Sequence, residues 1–217
     1  MGRPSKRTKS YVNTARERRQ RQQRLKNPCF FLVTEGDSEE IYFKHFSSRQ
    51  CRVKLFVAPS GDPKGLVMMA KSLIQNGAID VDPDQDELWC VFDRDDNSQS
   101  AINEAIEIAK ENSFKIAFSN PCFEIWLLWH FKETFSHREN SQSLPKELEP
   151  FLGEYKKTED YFDRLLPHID DAISRAKRAK KKHLQEGKGE FTRDFNPSSN
   201  IYEIIEGIKK NQAVDGS

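Results

Sequence analysis

The chain has no hydrophobic run near the roughly 20 apolar residues that cross a bilayer, and no apolar segment follows its basic N-terminal residues. A secretory leader is therefore not expected, and a cytoplasmic location is. Cysteine is scarce and scattered: Cys29, Cys51, Cys90 and Cys122 form no C-x-x-C pair and have no histidine at finger-like spacing, which argues against structural zinc. Three of them fall in apolar runs, so reduced core thiols are the expected state. Ser60-Gly61-Asp62-Pro63-Lys64-Gly65 superficially suggests a phosphate loop, but the Gly-Lys-Ser/Thr ending is missing, which speaks against an ATPase. His45, His130, His137, His168 and His183 are not spaced as zinc ligands, and no Ser-His-Asp signature or sequence repeat is present. His130 reads as a satisfied core histidine.

What is present is a divided charge. The net charge is +1, yet the ten cations between Arg3 and Lys26 are opposed by Glu17 alone. This segment, which includes Arg16, Arg18, Arg19, Arg21 and Arg24, is either a solvated arm or an electrostatic contact for phosphates. A second basic run, Arg175 to Lys182, falls on an expected helix. A solvated face is its ordinary explanation, and Lys181 and Lys182 are its candidate nucleic-acid contacts. Lys156 and Lys157 are similar candidates.

From Pro28 the composition turns apolar. Cys29 to Val33, Val53 to Val57, Leu88 to Phe92 and Phe114 to Phe118 read as strands. Amphipathic stretches separate them, the first with Ser38 as its expected N-cap. Strands alternating with helices predict an α/β fold with a mainly parallel sheet flanked by helices, whose sites lie beyond the strands' C-terminal ends. Phe123 to Phe131 is expected as a buried helix. Further helices are expected near Glu159 to Leu166, Ile169 to Gln185 and Ile201 to Lys209, with a loop from Gly187 to Ser199. The expected organisation is an arm (1–27), one domain (28–211) made of a core (28–135) and a helical C-terminal extension (136–211), and a short tail (212–217).

Glu35 closes the first strand, and the pair Asp93 and Asp95 closes the third. In a parallel sheet both ends open on one edge, so these carboxylates can converge although far apart in sequence. Hard oxygen ligands suit Mg²⁺ or Mn²⁺, and such a group suits phosphodiester chemistry. Acidic residues also favour loops and helix N-termini for capping alone. Glu124, inside an apolar helix, needs a partner: either a buried salt bridge or cap, or a role as metal ligand or water-orienting group. Ser119 and Asn120 are expected to cap that helix, with phosphate binding as the other reading.

Taken together, Thr34-Glu35-Gly36-Asp37-Ser38-Glu39-Glu40, Phe92-Asp93-Arg94-Asp95-Asp96, Ser119-Asn120-Pro121-Cys122-Phe123-Glu124-Ile125-Trp126-Leu127 and Asn196-Pro197-Ser198-Ser199 resemble the RloB-like family over residues 28–208. The strand-Glu-Gly and strand-Asp-x-Asp pattern resembles the TOPRIM domain of topoisomerases, primases and OLD-type nucleases. The resemblance implies a TOPRIM-like Rossmannoid sheet and a Mg- or Mn-dependent nuclease acting on DNA or RNA in prokaryotic defence. It implies Glu35 as general acid or base, Asp93 and Asp95 as metal ligands, and Glu39 as a second acidic ligand; Glu124 is a catalytic candidate on its place in the apolar helix alone. A defence-system ATPase is a possible partner. The alternative is a non-catalytic protein of such a system that binds nucleic acid or recruits a partner. The chain lacks room for the strand-passage domains of a topoisomerase, and it lacks the zinc module of a primase.

Overall fold

Cys29–Thr34 is buried at every position, and its side chains alternate between two apolar layers: Phe30 and Leu32 face one, Cys29, Phe31 and Val33 the other. That double burial explains the unbroken apolar run, because a strand covered on both faces has no side to leave polar. In the computed structural model, which describes residues 27–59 and 62–213, this strand (β1) belongs to a sheet of order β2-β1-β3-β4-β5. β2 is Arg52–Val57, β3 Glu87–Asp93, β4 Lys115–Asn120 and β5 Ser198–Ser199. The first four are parallel, as expected.

β5 is a correction to the expected loop. It runs antiparallel to β4, with Ser119 opposite Ser199 and Asn120 opposite Ser198. Two residues without apolar character carry no periodicity, so only the tertiary pairing defines this strand.

Helices α1 (Asp37–Phe43), α4 (Glu124–Phe131), α7 (Ile169–Gln185) and α8 (Ile201–Ala213) pack on one face of the sheet. Helices α2 (Pro63–Gln75) and α3 (Gln99–Glu111) pack on the other. Asp62 caps α2 by accepting from Gly65 N at 2.8 Å, and Ser98 caps α3 by accepting from Ala101 N at 3.2 Å. The Ser60 to Gly65 segment thus ends in a helix cap. α8 lies close to the sheet because Gly207 has no side chain: a Cβ there would sit 3.0 Å from the Phe30 ring.

Three further corrections concern helices. α1 begins after Gly36, and Ser38 lies inside its first turn, its hydroxyl donating to Lys157 O at 3.2 Å. A helix α5 (Leu144–Leu152) occupies a stretch where no helix is expected. Pro145 falls in the first turn, where its missing N–H costs nothing, and Gly153 at φ 77° ends the helix. The helix expected near Glu159 shrinks to α6 (Phe162–Leu165) followed by a short 3-10 turn.

All four cysteines are buried, and none forms a disulfide. Among the described residues no helix is long and apolar enough to cross a membrane.

Candidate functional site

The register of the sheet brings the sequence-distant carboxylates together. Thr34 pairs with Val91 across β1 and β3, so Glu35 and Asp93 leave the same edge, and Asp93 pairs with Ser119 of β4. The contact is direct: Asp93 N donates to Glu35 Oε2 at 3.1 Å. Asp93 Oδ2 in turn accepts from Phe123 N at 2.9 Å, at the entrance to α4. Each carboxylate is held by a backbone donor through one oxygen, which sets its orientation and leaves the other oxygen unbound by these contacts.

Beyond Asp93 the chain turns sharply. Asp95 adopts φ 35°, a left-handed conformation that aspartate tolerates better than most residues. Hydrogen bonds to the neighbouring strand's end hold the turn: Arg94 N donates to Ser119 O at 2.8 Å and Asp95 N to Pro121 O at 2.9 Å. The result places Asp93 inside, 6% exposed, while Asp95 reaches the surface of a cleft of about 570 Å³ that Glu35 also lines.

Glu39 and Glu124 complete the acidic group. Both are buried, at 4% and 2% exposure, Glu39 on the first turn of α1 and Glu124 at the start of α4. Asp93 is held well above the ordinary carboxylate range, first by burial and then by the negative charges of Glu39, Glu35 and Glu124. Glu39 is pushed up to about 7, by burial and by Glu124 and Glu35. Glu35 is raised too, chiefly by burial, against the lowering effect of the Asp93 N–H. Asp93 and Glu39, each raised by the negative charge of its acidic neighbours, mark one electrostatic site at this edge.

One cation enters it. Lys157 Nζ lies 3.3 Å from Glu124 Oε1, and Tyr155 Oη donates to the same oxygen at 3.2 Å. The Lys157 side chain is 65% exposed, so an ammonium from the rim reaches a buried carboxylate. Burial disfavours its charge, but Glu124 outweighs that and the Lys157 pKa is raised. Glu124 therefore has the ion-pair partner that the salt-bridge reading requires, and it also sits among the acidic candidates.

A family model described as RloB-like protein matches residues 30–208. The chain belongs to the RloB-like family. No curated protein and no solved structure matches it.

In this RloB-like chain the four family-resembling segments meet at one place. Asn120 and Asn196, each preceding a cis-proline, interlock: Asn196 Nδ2 donates to Asn120 Oδ1 at 2.9 Å. Asn120 Nδ2 lies 3.2 to 3.3 Å from the carbonyls of Thr192, Arg193 and Phe195. Asn196 also grips Arg138, donating to its carbonyl at 2.8 Å and accepting from its N–H at 3.0 Å. The capping expectation for Ser119 and Asn120 is corrected accordingly: α4 has no side-chain cap, Asn120 ties loops together, and Ser119 Oγ meets Ser199 Oγ at 3.2 Å. A cap reading uses only local sequence, whereas this partner lies 76 residues away.

The expected site residues thus fall into three sets. Glu35, Asp93, Asp95, Glu39 and Glu124 are brought together. Lys181 and Lys182 lie on the exposed side of α7, where other members of the basic run are engaged: Arg175 with the Trp129 and His130 carbonyls, Lys177 with Glu206 and Arg178 with Glu133. Arg16, Arg18, Arg19, Arg21 and Arg24 lie outside the described residues. His130 is a core histidine as expected, with Nδ1 3.0 Å from Trp126 O and Nε2 3.2 Å from Tyr42 Oη; burial lowers its pKa to about 3. Tyr155 and the choice of Lys157 over Lys156, which pairs with Glu154 and Glu159, could not come from spacing, because both reach Glu124 from more than thirty residues along the chain.

As they stand, no three His, Cys, Asp or Glu side chains among the described residues are grouped to hold a metal ion. The donor chemistry nevertheless suits a hard cation: the group is all carboxylate, and its members destabilise one another's charged forms.

Proposed function

We propose that this chain is a Mg²⁺- or Mn²⁺-dependent nuclease that hydrolyses phosphodiester bonds of DNA or RNA, serving prokaryotic defence. The observation that carries the reading is the direct contact of Glu35 with Asp93 at the strand ends, beside Asp95 and an open polar cleft. Asp93, Asp95 and Glu39 would hold the cation, which when bound would stabilise charge on the phosphate and acidify a water. Glu35, raised above its ordinary value yet lining the cleft, suits proton exchange with the attacking water or the leaving oxygen. Glu124 keeps Lys157 at the rim, where its ammonium adds positive charge beside the substrate.

A second reading, a protein that binds nucleic acid or recruits a partner such as a defence ATPase without cleaving, is favoured by one observation. Lys157 already supplies a cation to Glu124.

Labelled DNA and RNA incubated with the full chain in Mg²⁺, Mn²⁺ or EDTA separate the two. The nuclease reading expects cleavage with either metal, none in EDTA, and at least a hundredfold loss in Asp93→Ala/Asp95→Ala. Cleavage that survives in EDTA or in the folded double variant contradicts it, and binding without cleavage under every condition favours the second reading.

A further inference from the structure

The cleft beside the carboxylates also carries arginines. Arg94 and Arg193 line it together with Glu35 and Asp95. Arg94 is 7% exposed, and Nη1 of its guanidinium donates to Gln99 Oε1 at 2.7 Å. Gln99 in turn donates to Phe191 O at 3.0 Å, which ties Arg94 to the loop carrying Arg193. Asn120 holds the same loop through the Arg193 carbonyl. Both cations therefore sit on braced supports.

Asp96 and Glu139 also face the cleft, yet among the described residues no carboxylate forms an ion pair with Arg94 or Arg193. Arg138, the third arginine of the cleft, has its charge met by a two-pronged pair with Glu147. Burial and then the positive charge of Arg193 lower the Arg94 pKa. A buried guanidinium next to another, with no anion between them, is unfavourable unless a ligand brings one. A guanidinium presents paired donors that match phosphate oxygens, and a cleft of about 570 Å³ is of a size to take a nucleotide.

We infer that Arg94 and Arg193 form a phosphate-binding subsite that seats a phosphate of a polynucleotide in the cleft that Glu35 and Asp95 also line. The subsite deepens the nucleic-acid reading and rests on it. Its ligand chemistry is a phosphate monoester or diester, contributed by a strand end or by the strand's interior. Bound there, the phosphate neutralises the two guanidinia and sets the strand's position relative to the carboxylates, without reading its sequence.

The test is binding of short fluorescent single-stranded oligonucleotides to the full-length protein in EDTA, where metal-dependent cleavage is absent. Oligonucleotides with a 5′-phosphate and with a 5′-hydroxyl are compared, and inorganic phosphate is the competitor. Wild type is set against Arg94→Gln, Arg193→Gln and Arg193→Glu. The expected result is about a tenfold weaker affinity for each glutamine variant, a larger loss for Arg193→Glu, and a salt dependence shallower by about one phosphate contact per guanidinium removed. Tighter binding of the 5′-phosphorylated strand, abolished by the variants, assigns the subsite to a strand end. Equal binding of both strands with the same losses assigns it to internal phosphates. Because Arg193 is on an exposed loop, its variants keep the test sound even if Arg94→Gln folds poorly. Wild-type affinity in folded Arg193→Gln and Arg193→Glu overturns the inference. A protein that binds through these arginines but cleaves nothing contradicts the nuclease reading alone, and one that cleaves normally with both arginines replaced contradicts the subsite alone.

Discussion

At Asp95 the backbone and the chemistry make separate demands on one residue. Its φ of 35° disfavours most side chains, and hydrogen bonds on either side hold it there. Left-handed backbone costs an ordinary residue about 1–2 kcal/mol, and such strain persists where the surroundings over-determine it. Asp95→Ala is therefore expected to unfold about 1 kcal/mol more easily than wild type, whereas Asp95→Gly recovers that stability because glycine accepts positive φ. Both lose the carboxylate, so metal-dependent cleavage should fall in both. Urea denaturation of the two variants checks the stability difference; equal stabilities would show that the turn is not strained. Asp93 and Asp95 could be singled out from the sequence by their place after an apolar strand, but their different roles could not. The strand's end points Asp93 inward, while the left-handed turn sends Asp95 to the cleft.

Between elements, the paired asparagines hold the site's outer wall. Asn120 ends β4, Asn196 precedes β5, and their mutual hydrogen bond fixes the loops carrying Arg138 and Arg193. Both side chains are nearly inaccessible, at 1% and 5% exposure, so removing either strands buried partners at a cost of about 1–3 kcal/mol. Asn120→Ala and Asn196→Ala should each destabilise by that order, and the double variant by clearly less than the sum, since each single change already breaks their shared bond. Additive losses in a thermal denaturation cycle would mean that the two asparagines act independently. The long apolar strands and the alternation that makes the sheet parallel could be read from residue periodicity. β5 and α5 could not, because one is two serines paired across 80 residues and the other uses proline where a helix start tolerates it.

Across the whole molecule, the central feature is a buried group of like charges at the sheet's edge. Asp93 is raised above its ordinary value, and Glu39, pushed up from about 4 to about 7, keeps in the folded state a proton that the unfolded chain loses between about pH 4 and 7. The stability this contributes is complete below pH 4 and is lost as the pH rises through about 7. Without a cation, the folded protein at pH 8 confines mutually repelling carboxylates. A divalent ion that binds their charged forms reverses that loss, and at pH 5 it must compete with protons. The sequence could place Glu35 and Asp93 on one edge, but the acidic neighbours that raise Asp93 and Glu39 and the entry of Lys157 depend on α1, α4 and the segment after α5 folding onto that edge. The most direct measurement is the melting temperature of the full chain at pH 8 and pH 5, with EDTA, Mg²⁺ or Mn²⁺, for wild type, Asp93→Asn and Asp95→Asn. A cation site predicts a rise of about 5–10 °C for wild type at pH 8 under saturating metal, little change at pH 5, and a response largely lost in both variants. No metal-dependent shift at pH 8, or an equal shift in wild type and variants, would contradict it.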